Sequence, residues 1–223
     1  MGYKEDFIDF MVHAGVLTFG DFVTKSGRNT PYFVNTGNYQ TSEQISKLGQ
    51  YYAACLMDRI DISSFNMLYG PAYKGIPLVI ATATSLYRDH GIDIAYAFNR
   101  KEVKDHGEGG SLIGYKPKDG DKVIIVEDVI TAGTSIRESV PLLKSYADVD
   151  VNALVISVDR MEKGQSNKTA ISEVKEDFGI ETHAIVTVKE IIAHLHGREL
   201  MGQVVIDDDM KNKMENYLKT YGI

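Results

Sequence analysis

From Asn66 onward the chain repeats one pattern: a short apolar run bounded by turn residues, followed by an amphipathic stretch of helical period. The runs "NMLYG" (66–70), "IDIAYAF" (92–98), "KVIIVE" (122–127), "VNALVISV" (151–158) and "ETHAIVTV" (181–188) alternate with helical patterns over 75–89 and 134–146. Strands that are apolar along their whole length need cover on both faces, and helices placed between them give parallel crossovers. The expected fold is therefore α/β, a mainly parallel central sheet flanked by helices.

The first part of the chain does not follow this pattern. Phe7, Phe10, Met11 and Ala14 recur at helical spacing before a stop at Gly15, and Thr41 with Gln44 forms a capping box for a helix running to about Arg59. Between them "FGDFVTKSGRNTPYFVNTG" changes to period two around a turn at Ser26-Gly27-Arg28-Asn29, which predicts a hairpin over about 17–37, set as a small N-terminal hood above the strand ends. With 223 residues, 43% hydrophobic and 25% charged, residues 1–223 read as a single globular domain. The segment "RKEVKDHGEGG" (100–110) is ambiguous by itself, either a solvated linker or an arm over something anionic. Strands of the same character flank it, which favours a mobile loop over about 99–115.

A net charge of −7 argues against a surface built to neutralise nucleic-acid phosphates. The single cysteine, Cys55, lies in the apolar "YYAACLM" and fits a small buried hydrophobe in a reducing compartment. No apolar run of signal-peptide length opens the chain, and "IPLVIATATSLY" is too short to span a bilayer. A cytoplasmic protein without a membrane or nucleic-acid partner is expected.

Chemistry concentrates in "KVIIVEDVITAGTSIRES" (122–139). Val123–Val126 form a buried strand, Glu127 and Asp128 stand at its end, and the small, hydroxyl-rich Thr131-Ala132-Gly133-Thr134-Ser135 opens a helix. Helix N-termini at the carboxyl ends of sheet strands present free N–H groups and a positive dipole end, suited to phosphate. The acids suit hydroxyls or a cation. A ribose 5-phosphate unit satisfies both halves, while an ordinary strand-to-helix turn with two solvated acids also fits the spacing. In "YGPAYKG" (69–75) a strand is left through Gly70 and Pro71, presenting Tyr73 and Lys74 before a helix; this is a place for a diphosphate or merely a turn with a solvated lysine.

"VIIVEDVITAGTS" resembles the signature for 5-phosphoribosyl 1-diphosphate (PRPP) of the type I phosphoribosyltransferases. "TKSGRNTPYFVN" (24–35), "GPAYKGIPL" (70–78) and "RKEVKDHGEGG" follow in the order seen in orotate phosphoribosyltransferases. The resemblance covers roughly residues 17–165 and implies the type I phosphoribosyltransferase fold. It implies PRPP binding by Tyr73, Lys74, Glu127, Asp128 and Thr131, Ala132, Gly133, Thr134, Ser135, and orotate binding by Lys25, Phe33, Val34, Thr131 and Arg160. A second aromatic residue stands in many bacterial members where this chain has Val34. Arg160 in "SVDRMEKG" matches the arginine that meets the orotate carboxylate, a task suited to a planar, bidentate donor.

The resemblance further implies that Lys101, Lys104 and His106, with Arg100 at the base, place positive charge on the departing diphosphate and exclude water. It implies Mg²⁺ held mainly by PRPP and water, with no dedicated protein cage, and a homodimer whose loop serves the neighbouring subunit. A transferase for another base would keep 123–135 but should not need Lys25, Phe33 and Arg160 around an acidic pyrimidine; against a regulator that only senses PRPP or binds nucleic acid stand the acidic net charge and the complete basic segment. His194-Leu195-His196 and Asp207-Asp208-Asp209 are read as a helical stretch and a helix start, not as metal sites.

Overall fold

The computed structural model of the chain describes residues 2–24, 27–101, 111–130, 133–163 and 168–223. Lys25, Ser26, Val103, Lys104, His106, Thr131 and Ala132 lie outside them. The elements run α1 (Tyr3–His13), β1 (Leu17–Val23), β2 (Asn29–Val34), α2 (Ser42–Arg59), β3 (Met67–Gly70), α3 (Gly75–His90), β4 (Ala95–Asn99), β5 (Leu112–Gly114), β6 (Lys122–Val126), α4 (Thr134–Lys144), β7 (Asp150–Asp159), α5 (Ala170–Phe178), β8 (Glu181–Thr187), α6 (Val188–Leu195), β9 (Glu199–Leu200), β10 (Gln203–Val204) and α7 (Asp208–Tyr221).

Six strands form the central sheet in the order β5-β4-β3-β6-β7-β8, all neighbours parallel except β4 and β5. Every residue of β3 and four of the five in β6 are buried, so side chains alternate between two covered faces rather than between core and water. Leu68, Ile124 and Val126 pack on one face with Phe7, Leu56, Leu86 and Ile191; Tyr69, Val123 and Ile125 pack on the other with Ile136, Val140 and Val174. Helices α1, α2, α3 and α6 thus cover the first face, and α4 and α5 the second. Helices α2 and α3 approach so closely that a Cβ at Gly49 would overlap the Ala81 backbone.

The hood is present as the antiparallel pair β1–β2, with Leu17 opposite Val34 and Thr18 opposite Phe33. Tyr32 turns inward from β2 against Tyr217 of α7, ring centroids 6.1 Å apart and perpendicular. Capping follows the residue types: Thr41 and Gln44 close the start of α2, and Asp207 accepts the Met210 N–H to start α7.

Two boundaries differ from the sequence pattern for identifiable reasons. β4 starts at Ala95 rather than Ile92 because Gly91 takes φ +69° and the Ile92 N–H is spent on Leu86 O, closing α3. β5 has no apolar pattern of its own; it exists because Asn99 pairs with Leu112 and Ala97 with Gly114 across the edge. The chain therefore leaves the sheet at Asn99 and returns beside it at Leu112. Among the described residues no helix is long and apolar enough to cross a membrane.

Candidate active site

β3 has β4 on one side and β6 on the other, so the connections from β3 and from β6 depart in opposite senses and leave a crevice beyond their carboxyl ends. Both chemistry-bearing stretches, 70–75 and 127–135, start there.

At the end of β6 the alternation that buries Val126 carries on into Glu127 and Asp128, and both acids are buried, 6% and 7% exposed. That sets aside the reading of two solvated acids. Their backbone is fixed from elsewhere: the Tyr52 hydroxyl donates to Glu127 O at 2.7 Å, and the Ser157 hydroxyl to Asp128 O at 2.6 Å. Burial, reinforced by the neighbouring Asp128 charge, pushes the Glu127 carboxyl well above the usual glutamate range. Burial works against the Asp128 charge too, but hydrogen bonds from Lys74, Thr36 and the Val129 N–H outweigh it and hold that carboxyl low. Two adjacent acids thus differ: Asp128 is a carboxylate acceptor, while Glu127 readily carries a proton.

Lys74 comes from the β3 loop. Its ammonium donates to Asp128 Oδ2 at 2.8 Å and to Thr36 Oγ1 at 3.0 Å, and the Thr36 hydroxyl donates to Asp128 Oδ2 at 2.8 Å. Thr36 follows the hood, so three distant parts of the chain meet at one oxygen. The loop is held in shape by Ala72 N–H donating to Asn99 Oδ1 at 2.8 Å and by close contact between Gly70 and Gly75, where a Cβ on Gly70 would overlap the Gly75 carbonyl. The Ala72–Tyr73 peptide bond is cis. Tyr73, Lys74 and Asp128 line one wall of a cleft of about 520 Å³.

Gly133, at φ +68°, precedes α4, whose start has no side-chain cap and no acidic residue in its first turn. A side-chain oxygen caps α2, α5, α6 and α7, whereas α4, like α3, has no side-chain cap among the described residues, a start suited to an outside acceptor. Thr134 is exposed and Ser135 half-buried there; Thr131 and Ala132 are outside the described residues.

Of the residues expected around an acidic base, the described ones, Phe33, Val34 and Arg160, do not line that cleft. Phe33 is 37% exposed beside Phe22, ring centroids 5.8 Å apart, and Val34 packs partly onto the core. Arg160, just past β7, keeps its side chain 15% exposed over the Tyr32 ring, 5.1 Å from the centroid, and pairs with Glu162. Of the basic segment, the Arg100 N–H donates to Ser111 O at 2.7 Å, and the Lys101 ammonium lies 5.4 Å from the Tyr73 ring centroid, tying the base of that segment to the β3 loop. The expectations for Lys25, Lys104 and His106 fall outside the described residues. Among those described, no group of three or more His, Cys, Asp or Glu could hold a metal ion.

Thr36, Ser157, Tyr52 and Glu162 were not foreseen as part of this region. Only Glu162 carried a local signal, its place two residues after Arg160.

The Phosphoribosyl transferase domain family matches residues 36–189, which takes in the β3 loop, both acids, the start of α4 and Arg160. An orotate phosphoribosyltransferase of Clostridium acetobutylicum is 54% identical over 99% of this chain and 98% of its own length, and one of Lachnoclostridium phytofermentans is 56% identical over the same shares. The crystal structure of orotate phosphoribosyltransferase from Francisella tularensis superposes with a TM-score of 0.85 at 36% identity, covering 98% of this chain and 100% of that one. With the uncapped helix start, the buried acids and the β3 lysine set at one switch point, these matches place the chain in the phosphoribosyltransferase family, among the orotate phosphoribosyltransferases.

Proposed function

We propose that this protein transfers the 5-phosphoribosyl group from PRPP to orotate, giving orotidine 5′-monophosphate and diphosphate in pyrimidine nucleotide synthesis. The observation that carries this reading is the convergence of Lys74 with Glu127 and Asp128 beside the uncapped start of α4. The full-length relatives carrying that name support the choice of orotate.

In this reading the α4 start, with Thr131, Ala132, Gly133, Thr134 and Ser135, holds the 5-phosphate, and Asp128 and Glu127 receive the ribose hydroxyls. Lys74, 59% exposed although its partner Asp128 is buried, turns to the diphosphate with Tyr73 and the β3-loop backbone. As the C1′–oxygen bond breaks, diphosphate departs with the electron pair, and orotate N1 gives up its proton and forms the new bond to C1′. Lys101, Lys104, His106 and Arg100 supply charge to the leaving group, whose stabilisation is worth most where water is excluded. Lys25, Phe33, the Val34 backbone, Thr131 and Arg160 hold the base.

The residues present fit a Mg²⁺ that arrives with PRPP: Asp128 is kept ionised and offers hard oxygen, while among the described residues no cage competes for the ion. Such an ion supplies charge neutralisation on the diphosphate. The working form is a cytoplasmic homodimer in which the 99–115 segment serves the neighbouring subunit.

The test is turnover. The purified protein is mixed with PRPP, Mg²⁺ and orotate, and loss of orotate absorbance is followed, with uracil, hypoxanthine and adenine in parallel. Loss confined to orotate and dependent on PRPP is expected; turnover of another base with none of orotate overturns the reading.

A further inference from the structure

Arg160 does not sit free at the end of β7. Glu162 Oε1 accepts from Arg160 Nε at 2.9 Å and from the Tyr32 hydroxyl at 2.8 Å. Tyr32 is fully buried, and burial keeps its hydroxyl protonated as a donor. Nη2 of Arg160 is buried and lies 2.7 Å from the same glutamate oxygen, an ion pair without hydrogen-bond alignment. An arginine has five N–H donors in a fixed fork, and a buried donor left unmatched is costly. Glu162 therefore holds the guanidinium by its Nε and Nη2 edge, and none of these contacts engages Nη1.

Glu162 cannot easily follow a moving Arg160. It forms a β-bridge with Gly222, Lys163 N–H donates to Tyr221 O at 2.8 Å, and Ile223 N–H donates to Met161 O at 3.2 Å. Arg28 adds a link from the hood, donating to Lys163 O at 3.2 Å. The hood, the segment after β7 and α7 are thus joined around one carboxylate.

We infer that Glu162 is a positioning residue for the base site: with Tyr32 it fixes the Arg160 guanidinium by its Nε and Nη2 edge, so that Nη1 is the nitrogen left to meet the carboxylate of the acidic base. This rests on the reading of the protein as an orotate phosphoribosyltransferase. The glutamate also offsets the arginine's charge, so recognition depends on the direction of donors more than on an unpaired cation. A substrate carboxylate meeting Nη1 would not displace Glu162.

The experiment compares the wild-type protein with Glu162→Ala, Glu162→Gln and Tyr32→Phe, measuring KM for orotate and for PRPP separately, kcat, and melting temperature. Glu162→Ala should raise KM for orotate by roughly tenfold, the scale of one hydrogen bond to a charged group, with KM for PRPP nearly unchanged. Glu162→Gln keeps an acceptor for Nε and for the Tyr32 hydroxyl and should recover most of that loss; Tyr32→Phe, the mildest change to packing, should shift KM for orotate in the same direction. A normal KM for orotate in Glu162→Ala, or an equal rise for both substrates, overturns the inference while leaving the activity intact. A wild-type protein that does not turn over orotate overturns both.

Discussion

Lys74 and Asp128 satisfy each other before any substrate is present, and this pairing decides how the acids behave. With Lys74 and Thr36 on Asp128, the negative charge of the pair resides there, and Glu127, buried with no cation of its own, is left to hold a proton. A carboxyl whose folded-state pKa is raised favours the fold while protonated: that stability is complete below the ordinary glutamate range and is lost as pH rises through the raised folded value. Each pH unit across that window costs about 1.4 kcal/mol. The ligand-free protein should accordingly melt at lower temperature as pH rises from mildly acidic to mildly alkaline, and Glu127→Gln should flatten that slope; equal slopes in melting curves across pH would show that Glu127 does not carry the effect. In the proposed reading Lys104 serves the departing diphosphate, so Lys104→Ala should lower kcat by roughly 10²-fold, as removal of one transition-state donor does. Stopped-time product assays at saturating substrates measure it. The acids and Lys74 could be named from local sequence because strand ends and helix starts advertise themselves, whereas Arg160, a lone arginine after a strand, was named only through the family resemblance. Thr36 and Ser157 could not, since each matters only through a partner some thirty to ninety positions away.

The connection from β3 to α3 is the element on which placement of Lys74 depends. Gly70 and Gly75 touch backbone to backbone, and Val79 lies 2.7 Å from where a Gly70 Cβ would stand. Gly70→Ala must therefore push residues 71–75 outward, and misplacement of about 1 Å at a reacting group can cost roughly 10²-fold. The expected outcome is a loss of that order in kcat/KM for PRPP with the far-ultraviolet circular dichroism spectrum retained. Elements with their own period were legible in sequence: β3, α3, β6 and β7 fall within a residue or two of the pattern. β5, at Leu112–Gly114, was not, because a three-residue edge strand takes its conformation from its neighbour and not from alternation. α5 and the β9–β10 pair went unnamed for a similar reason; they are short and depend on what they pack against.

At the scale of the whole molecule, the central sheet sets the acids and Lys74 at its middle, while the hood and α7 close around Arg160 at one side. Sequence alternation was enough to foresee the sheet and the hood; it carried no information on how α7 would lock them together, since Tyr32 and Tyr217 meet only in the folded chain. If the 99–115 segment works on the neighbouring subunit, mixing Lys104→Ala with Asp128→Asn, each nearly inactive alone, should restore activity, because some hybrid dimers then contain one site with both native residues. Activity no greater than the sum of the separate variants would place the segment on its own subunit. The pairing of Asn99 with Leu112 has a use beyond catalysis. Asn99 and Leu112 are paired neighbours, so the fold holds the two ends of the connection between them in register, and doubling the length of a flexible connection adds only about 0.6 kcal/mol of closure entropy. For protein engineering this edge is a splice point: a reporter peptide or a sensor module can be inserted there with little effect on the stability of the sheet that carries it.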